Sequence, residues 1–172
     1  MSRRPLTRRD RDGREGQALV EFALVVPLLL LLLLAIVGYG LALFRTLNVA
    51  NAARSAVRYG VIGASPCQMF GDVVYLMPGT TPTMTVTFPG GSQCTIATNG
   101  STVSQSPSGC DTSSSNQYTA GGYMTVQVAN PVSSPIYLPG LGTSYTITQA
   151  TTMMVEDAST VPSVPGSGCT VP

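Results

Sequence analysis

Histidine, lysine and tryptophan do not occur in this chain of 172 residues, and aromatic residues make up only 6% of it. Without histidine the commonest general base and any histidine-ligated zinc site are excluded. Without lysine there is no Schiff-base chemistry. The shortage of aromatic rings argues against an aromatic-lined ligand pocket. Charge is scarce as well: nine arginines and eight acids leave a net charge of +1. Against these shortages stand 44% apolar residues and a mean hydropathy of +0.25. Such a composition points away from a soluble enzyme and towards a chain with one concentrated apolar block. No nucleophile–base arrangement is visible, so no catalytic role is expected, and no cofactor or metal is implied.

The few charges are segregated along the chain. Residues 1–16 carry six arginines against Asp10, Asp12 and Glu15, and Glu21 stands alone after them. Arg45, Arg54 and Arg58 follow, and from Tyr59 to Pro172 there is no basic residue, only Asp72, Asp111, Glu156 and Asp157. A nucleic-acid binder needs cations on its folded face to neutralise phosphates. Here that part of the chain is acidic, and nucleic acid is excluded as a partner.

Between Glu21 and Arg45 lie 23 uncharged residues, FALVVPLLLLLLLAIVGYGLALF. As a helix they extend ~34 Å, enough for the hydrocarbon core of a bilayer. A lone span in lipid has to be helical, because only a helix satisfies its own backbone polar groups. A cleaved secretory signal has a shorter apolar region that ends at a small-x-small site, so this run reads as a retained span. Six arginines precede it and three follow within twenty residues, which orients the N-terminus to the cytoplasm and exports the rest. All four cysteines, Cys67, Cys94, Cys110 and Cys169, lie after the span, where an oxidising compartment lets them pair. Three pairings are open. The preferred one joins Cys94 to Cys110 across a Ser-rich loop and Cys67 to Cys169, tying down the tail.

Four segments follow from these patterns: a polar cytoplasmic leader (1–16), a transmembrane and then amphipathic helix (17–60), an exported β-rich domain (61–157) and a Pro/Gly/Ser-rich tail (158–172). In the upper helix Phe44, Leu47, Ala50, Ala53 and Val57 recur at helical spacing. Gly60, Gly63 and Pro66 read as its stop signals. The segments 83–88, 123–128 and 145–156 alternate and are rich in β-branched residues, with 94–98 a fourth strand candidate. Asn99-Gly100 is a tight-turn signal, and 101–116 and 130–142 read as turn-rich connections. The fold class is α+β: one long helix followed by a small antiparallel sheet.

The stretch Gly16-Gln17-Ala18-Leu19-Val20-Glu21-Phe22 carries the functional argument. A carboxylate at the edge of an apolar helix is costly, about 2.5–3.5 kcal/mol if carried to the bilayer centre. A cut after Gly16 would place a new α-amine on Gln17, four residues from Glu21 on the same helix face. Amine and carboxylate can then pair within a chain or between chains, and the carboxylate also meets the positive end of the helix dipole. Read alone, Glu21 is an interfacial acid and Gly16 a linker glycine.

In these residues, in the span EFALVVPLLLLLLLAIVGYG, in the helix NVANAARSAVRYG and in the late strand ITQATTMMVE, the chain resembles the TadE-like minor pseudopilins of tight-adherence (Tad/Flp) pili, which are type IV pilin-like proteins. The resemblance covers about half of the chain and leaves 67–122 unmatched. It implies a substrate of a prepilin peptidase, with Gly16 before the cut, Gln17 after it, and Glu21 and Phe22 at the fifth and sixth positions of the mature chain. The implied partners are the membrane, that peptidase, other pilin or pseudopilin subunits and the Tad assembly machinery, with a role in adhesion or secretion. Phe22 stands where tyrosine is common in major subunits, and Glu15 is an acid where a base would be less surprising. Two other functions are compatible with the composition. One is an uncleaved, signal-anchored envelope protein whose disulfide-bonded domain binds a ligand or surface. The other is an exported hydrolase using Asp72, Asp111, Glu156 or Asp157, ranked last because adjacent residues on a strand point to opposite faces.

Overall fold

The computed structural model describes residues 9–108, 110, 118–138, 142–156 and 169. It divides into two compact units, Met1–Leu41 and Ala42–Pro172. Helix α1 (Arg9–Val61) supplies nearly all of the first and opens the second. It begins well before Gly16, so residues 9–16, read from the sequence as a leader separate from the helix, are part of it. Arginine and glutamate are good helix formers, so the composition of this stretch does not oppose a helix. From Gly16 onward the helix is long and apolar enough to cross a membrane, and none of its most apolar window is buried within the protein. A soluble core helix of that hydropathy would be covered. Pro27 sits inside this stretch and deprives the Ala23 carbonyl of its ladder hydrogen bond.

In the second unit α1 buries only the upper part of the stripe its apolar spacing suggests: Ala53 and Val57 are inside and Ala50 is half-buried. Phe44 and Leu47 are exposed, while Val49, Ala52, Ala53, Ala56 and Val57 are fully buried. Small side chains win this contest because they let a helix approach its neighbours closely. Gly60 continues the seam: a Cβ there would lie 2.6 Å from Met124 Sδ and 2.8 Å from Met69 Cε. The helix then closes in a Schellman turn. Gly63 adopts φ 93°, its N–H donates to the Gly60 carbonyl, and the Ala64 N–H donates to Tyr59.

A second helix, α2 (Pro66–Leu76), follows at once and was not expected from the sequence. Ser65 caps it: its Oγ accepts from the Gln68 N–H, and Gln68 Oε1 accepts from the Ser65 N–H. Pro66, read as a helix stop, occupies the first turn, where a missing N–H costs nothing. Met69, Phe70 and Val73 form its buried face.

The sheet has the order β3-β2-β1-β4-β5 and is antiparallel throughout. Its strands are β1 (Thr83–Thr87), β2 (Gln93–Thr98), β3 (Val103–Ser106), β4 (Tyr123–Leu138) and β5 (Gly142–Met154). All four expected strands are present. Within the two segments read as turn-rich, residues 103–106 and 130–138 are strand. β3 pairs with β2 across the Asn99-Gly100 turn, where Asn99 Oδ1 accepts from the Ser101 and Thr102 N–H groups and from Thr102 Oγ1. β4 runs on past Asn130 because β5 pairs with it through Pro131 to Ser133, beyond the last β1 partner at Ala129. Glu156 lies just past the end of β5 rather than on it.

One face of the sheet holds Met84, Val86, Cys94, Ile96, Met124, Val126 and Val128, all fully buried with the seam of α1 and the inner face of α2 in one cluster. The opposite face carries threonines, with Thr85 bonded to Thr95 at 3.0 Å and Thr125 to Thr152 at 2.8 Å. Tyr118 locks the end of α1 to this core. Its hydroxyl donates to the Ala64 carbonyl at 2.7 Å and its ring meets Phe88 edge-on at 5.4 Å.

Phe70 fills the centre of this core, so Phe70→Ala should cost about 3–5 kcal/mol in denaturant unfolding. Tyr75→Ala, one turn on at an exposed position, should stay within about 0.5 kcal/mol. Burial pushes the Tyr118 phenol up to about 12 from 10.0, so its contribution is complete below pH 10 and is lost as pH rises through 12. Tyr118→Phe should flatten that alkaline fall in the unfolding midpoint, at the cost of about 1 kcal/mol at neutral pH from the lost hydrogen bond.

Candidate functional site

Gly16, Gln17, Glu21 and Phe22 all lie on α1 and all are exposed. At ~100° and ~1.5 Å per residue, Gln17 and Glu21 are about 40° apart around the helix and about 6 Å apart along it. They therefore share a face, one turn apart. Phe22 projects on a neighbouring face and is 67% exposed. Gly16 is an ordinary helical residue with open space where its Cβ would be. A glycine inside a helix weakens it by about 1 kcal/mol relative to alanine, so the backbone here opens more readily than at neighbouring positions.

The four cysteines form two disulfides in the preferred connectivity. Cys94 and Cys110 have Cα atoms 5.5 Å apart, and Cys67 and Cys169 5.1 Å apart. Their surroundings differ. Cys94 and Cys110 are buried in the core cluster, whereas Cys67 and Cys169 are half-buried at its margin. Gln105 Nε2 of β3 donates to both sulfurs of the outer pair, at 3.2 Å to Cys67 and 3.0 Å to Cys169. A second constraint ties α1 to the sheet edge: Arg45 Nη1 donates to the Ser133 carbonyl at 3.4 Å.

Of the four carboxylates considered for hydrolysis, two fall within the described residues. Asp72 sits on α2 and Glu156 follows β5, while Asp111 and Asp157 lie outside the described residues. Among the described residues no three His, Cys, Asp or Glu side chains converge to hold a metal. Asp72 has a different importance that the sequence did not disclose. It lines a cleft of about 490 Å³ with Tyr59, Ala64, Gln68, Gly71 and Tyr75. Its Oδ2 is buried and has no hydrogen-bond partner among the described residues. The signal that could have found it is the Ser-Pro-x-Gln start of α2, which sets Gln68, Asp72 and Tyr75 on one side of that helix.

Residues 16–58 match the family model described as TadE-like protein. No match to the chain was found among curated proteins or among solved structures. The matched segment begins at Gly16 and runs through the apolar span into the packed part of α1, and it supports a role associated with the Tad pilus.

The difference in burial between the two disulfides sets an order of reduction. Mild thiol treatment of the folded protein should open Cys67–Cys169 first and leave Cys94–Cys110 intact until unfolding, as read by alkylation and peptide mass mapping. Simultaneous loss of both pairs under native conditions would contradict the burial.

Proposed function

We propose, for a chain that carries a TadE-like segment over residues 16–58, that it acts as a minor pseudopilin in Tad pilus assembly, contributing to adhesion or secretion, and is processed by a prepilin peptidase after Gly16. The observation that carries this reading is the placement of Gly16 and Glu21 on one exposed apolar helix, at the start of the matched segment. The N-terminus faces the cytoplasm and the 42–172 unit is exported, a topology supported by the arginine asymmetry and by two disulfides that need an oxidising compartment.

Cleavage changes the chemistry of the helix start. Removal of 1–16 takes away six arginines and leaves the Gln17 α-amine as a new cation at the head of the helix. Glu21, one turn on, neutralises that amine within the chain or on a neighbouring helix, and its charge is further favoured by the N-terminal end of the helix dipole. The apolar rod can then pack against other pilin-like helices without carrying an isolated carboxylate into them. The weak helical preference of Gly16 gives the peptidase a point where the backbone can open.

A second reading, an uncleaved signal-anchored envelope protein, is favoured by one feature: α1 continues without interruption from Arg9 through Gly16. The two are separated by intact-mass measurement of the chain co-expressed with a prepilin peptidase. The expected mature chain starts at Gln17, Gly16→Leu blocks the cut, and Glu21→Ala leaves cleavage in place while sharply lowering recovery with pilus subunits. A chain that still starts at Met1, with Glu21→Ala of no effect, would select the anchored protein instead.

A further inference from the structure

We propose that the turn end of the β4–β5 hairpin binds the lipid surface: residues 134–138 of β4 rest in the interfacial layer of the bilayer, beside the point where α1 emerges from it. Two contacts set the direction of β4. Near its start Met124 Sδ crowds the position of Gly60, close to the end of α1, and further along the Ser133 carbonyl accepts from Arg45 Nη1. β4 therefore runs antiparallel to this part of α1, from the end remote from the membrane towards Arg45. Arg45 is the first charge after the 23-residue uncharged run, so in a spanning helix it marks the level at which the chain leaves the hydrocarbon. The strand does not stop at that level. It continues from Ser133 to Leu138, up to about 16 Å of extended chain, and its register to β5 shifts there before closing with Leu138 opposite Gly142.

Burial on the helix agrees with this placement. Ala42 lies inside the uncharged run and is buried, although Leu43 and Phe44 beside it are exposed. The 42–172 unit thus covers one side of α1 on the membrane side of Arg45 and leaves the other sides to lipid. The sequence of β4 changes at the same level. Up to Val132 its buried apolar residues, Met124, Val126, Val128 and Val132, serve one face of the sheet. Pro135, Ile136, Tyr137 and Leu138 are instead consecutive, a pattern that suits apolar surroundings on both faces. β1 offers nothing here, its last partner on β4 being Ala129. The backbone limits the depth. Hydrocarbon does not tolerate unpaired N–H and C=O groups, and β5 pairs only one edge of the strand, so the hairpin end rests among headgroups and not in the acyl core. Pro135 has no N–H to leave unpaired, and tyrosine among apolar residues has the amphipathic character that the interfacial layer selects.

This inference goes beyond the pseudopilin reading and rests only on α1 spanning a bilayer, so its test leaves Gly16 and Glu21 untouched. The chain has no tryptophan, and a single introduced one reports without background. Tyr137→Trp, and as a reference Tyr123→Trp at the exposed opposite end of β4, are placed as full chains in phosphatidylcholine–phosphatidylglycerol vesicles. Tryptophan at 137 should emit at shorter wavelength than at 123 and be quenched about threefold more by lipids brominated close to the headgroup. With iodide on both sides of the membrane it should be about threefold less accessible. Adding Ile136→Asp and Leu138→Asp to Tyr137→Trp should remove most of the lipid quenching, with near-UV circular dichroism and intact disulfides establishing the fold. Equal lipid quenching at 137 and 123 overturns the proposal. So does a tryptophan at 137 that is shielded from iodide yet untouched by brominated lipid, because protein then covers the hairpin. Quenching that survives both aspartates, or that is strongest with bromine at mid-bilayer, overturns it equally. Alkaline washing of the vesicles separates the two claims: release of the chain overturns the spanning helix and the hairpin contact together, whereas a retained chain without lipid quenching at 137 overturns the hairpin contact alone.

Discussion

The close approach between α1 and the layers packed on it organises the folded part of this protein. Ala52, Ala53, Ala56 and Gly60, set between Val49 and Val57, present almost no side-chain bulk, and both Met124 of the sheet and Met69 of α2 crowd the position of Gly60. A helix with leucines on that side would hold its neighbours further off and leave gaps that a small sheet has no spare side chains to fill. The same helix, a few turns earlier, is apolar on all sides and covered by nothing in the protein. One continuous element thus meets two environments. Its chemistry changes near Ala42 from bulky and fully apolar to small on one side and polar on the other.

That change explains what could and could not be read from the chain beforehand. The span, the end of α1 and four strands follow from local signals: an uncharged run, glycines after a periodic stretch, and alternation; for the cysteines the sequence left three pairings open, of which the preferred one matches the structure. The seam on α1 was placed correctly at Ala53 and Val57 but not at Phe44 and Leu47, because apolar spacing weights large side chains whereas packing selects the residues that permit contact. α2 was missed because Pro66 was taken as a terminator when, behind a serine cap and ahead of Gln68, it begins a helix. β3 and the far half of β4 carry polar and proline-containing sequence that adopts strand geometry only because β2 and β5 supply partners. Such pairing is a tertiary effect and leaves little trace in composition.

The functional residues divide along the same line. Gly16, Gln17, Glu21 and Phe22 are close in sequence on a regular helix, so their spacing alone states their geometry. The Asp72 cleft is assembled from the last turns of α1, the turn after it and α2, and becomes visible only once those elements are in place. The two sites also ask different things of the protein. In the function proposed above, the N-terminal one serves processing and the lateral packing of helices. The cleft belongs to the folded unit, where charge is scarce and Asp72 Oδ2 has no hydrogen-bond partner among the described residues.

The Cys67–Cys169 bridge has a mechanical consequence. It joins the far end of the chain to the first turn of α2, a few residues beyond α1, and closes a loop with a sequence separation of 102. Load applied at the C-terminus therefore enters the fold beside the root of the helix without travelling through the strands. If the sheet were to yield, the slack stored in that loop, more than 300 Å at ~3.3 Å per residue, could not be paid out while the bond held. A chain wired in this way transmits a pull along a covalent shortcut and keeps nearly constant length even when its β layer has melted.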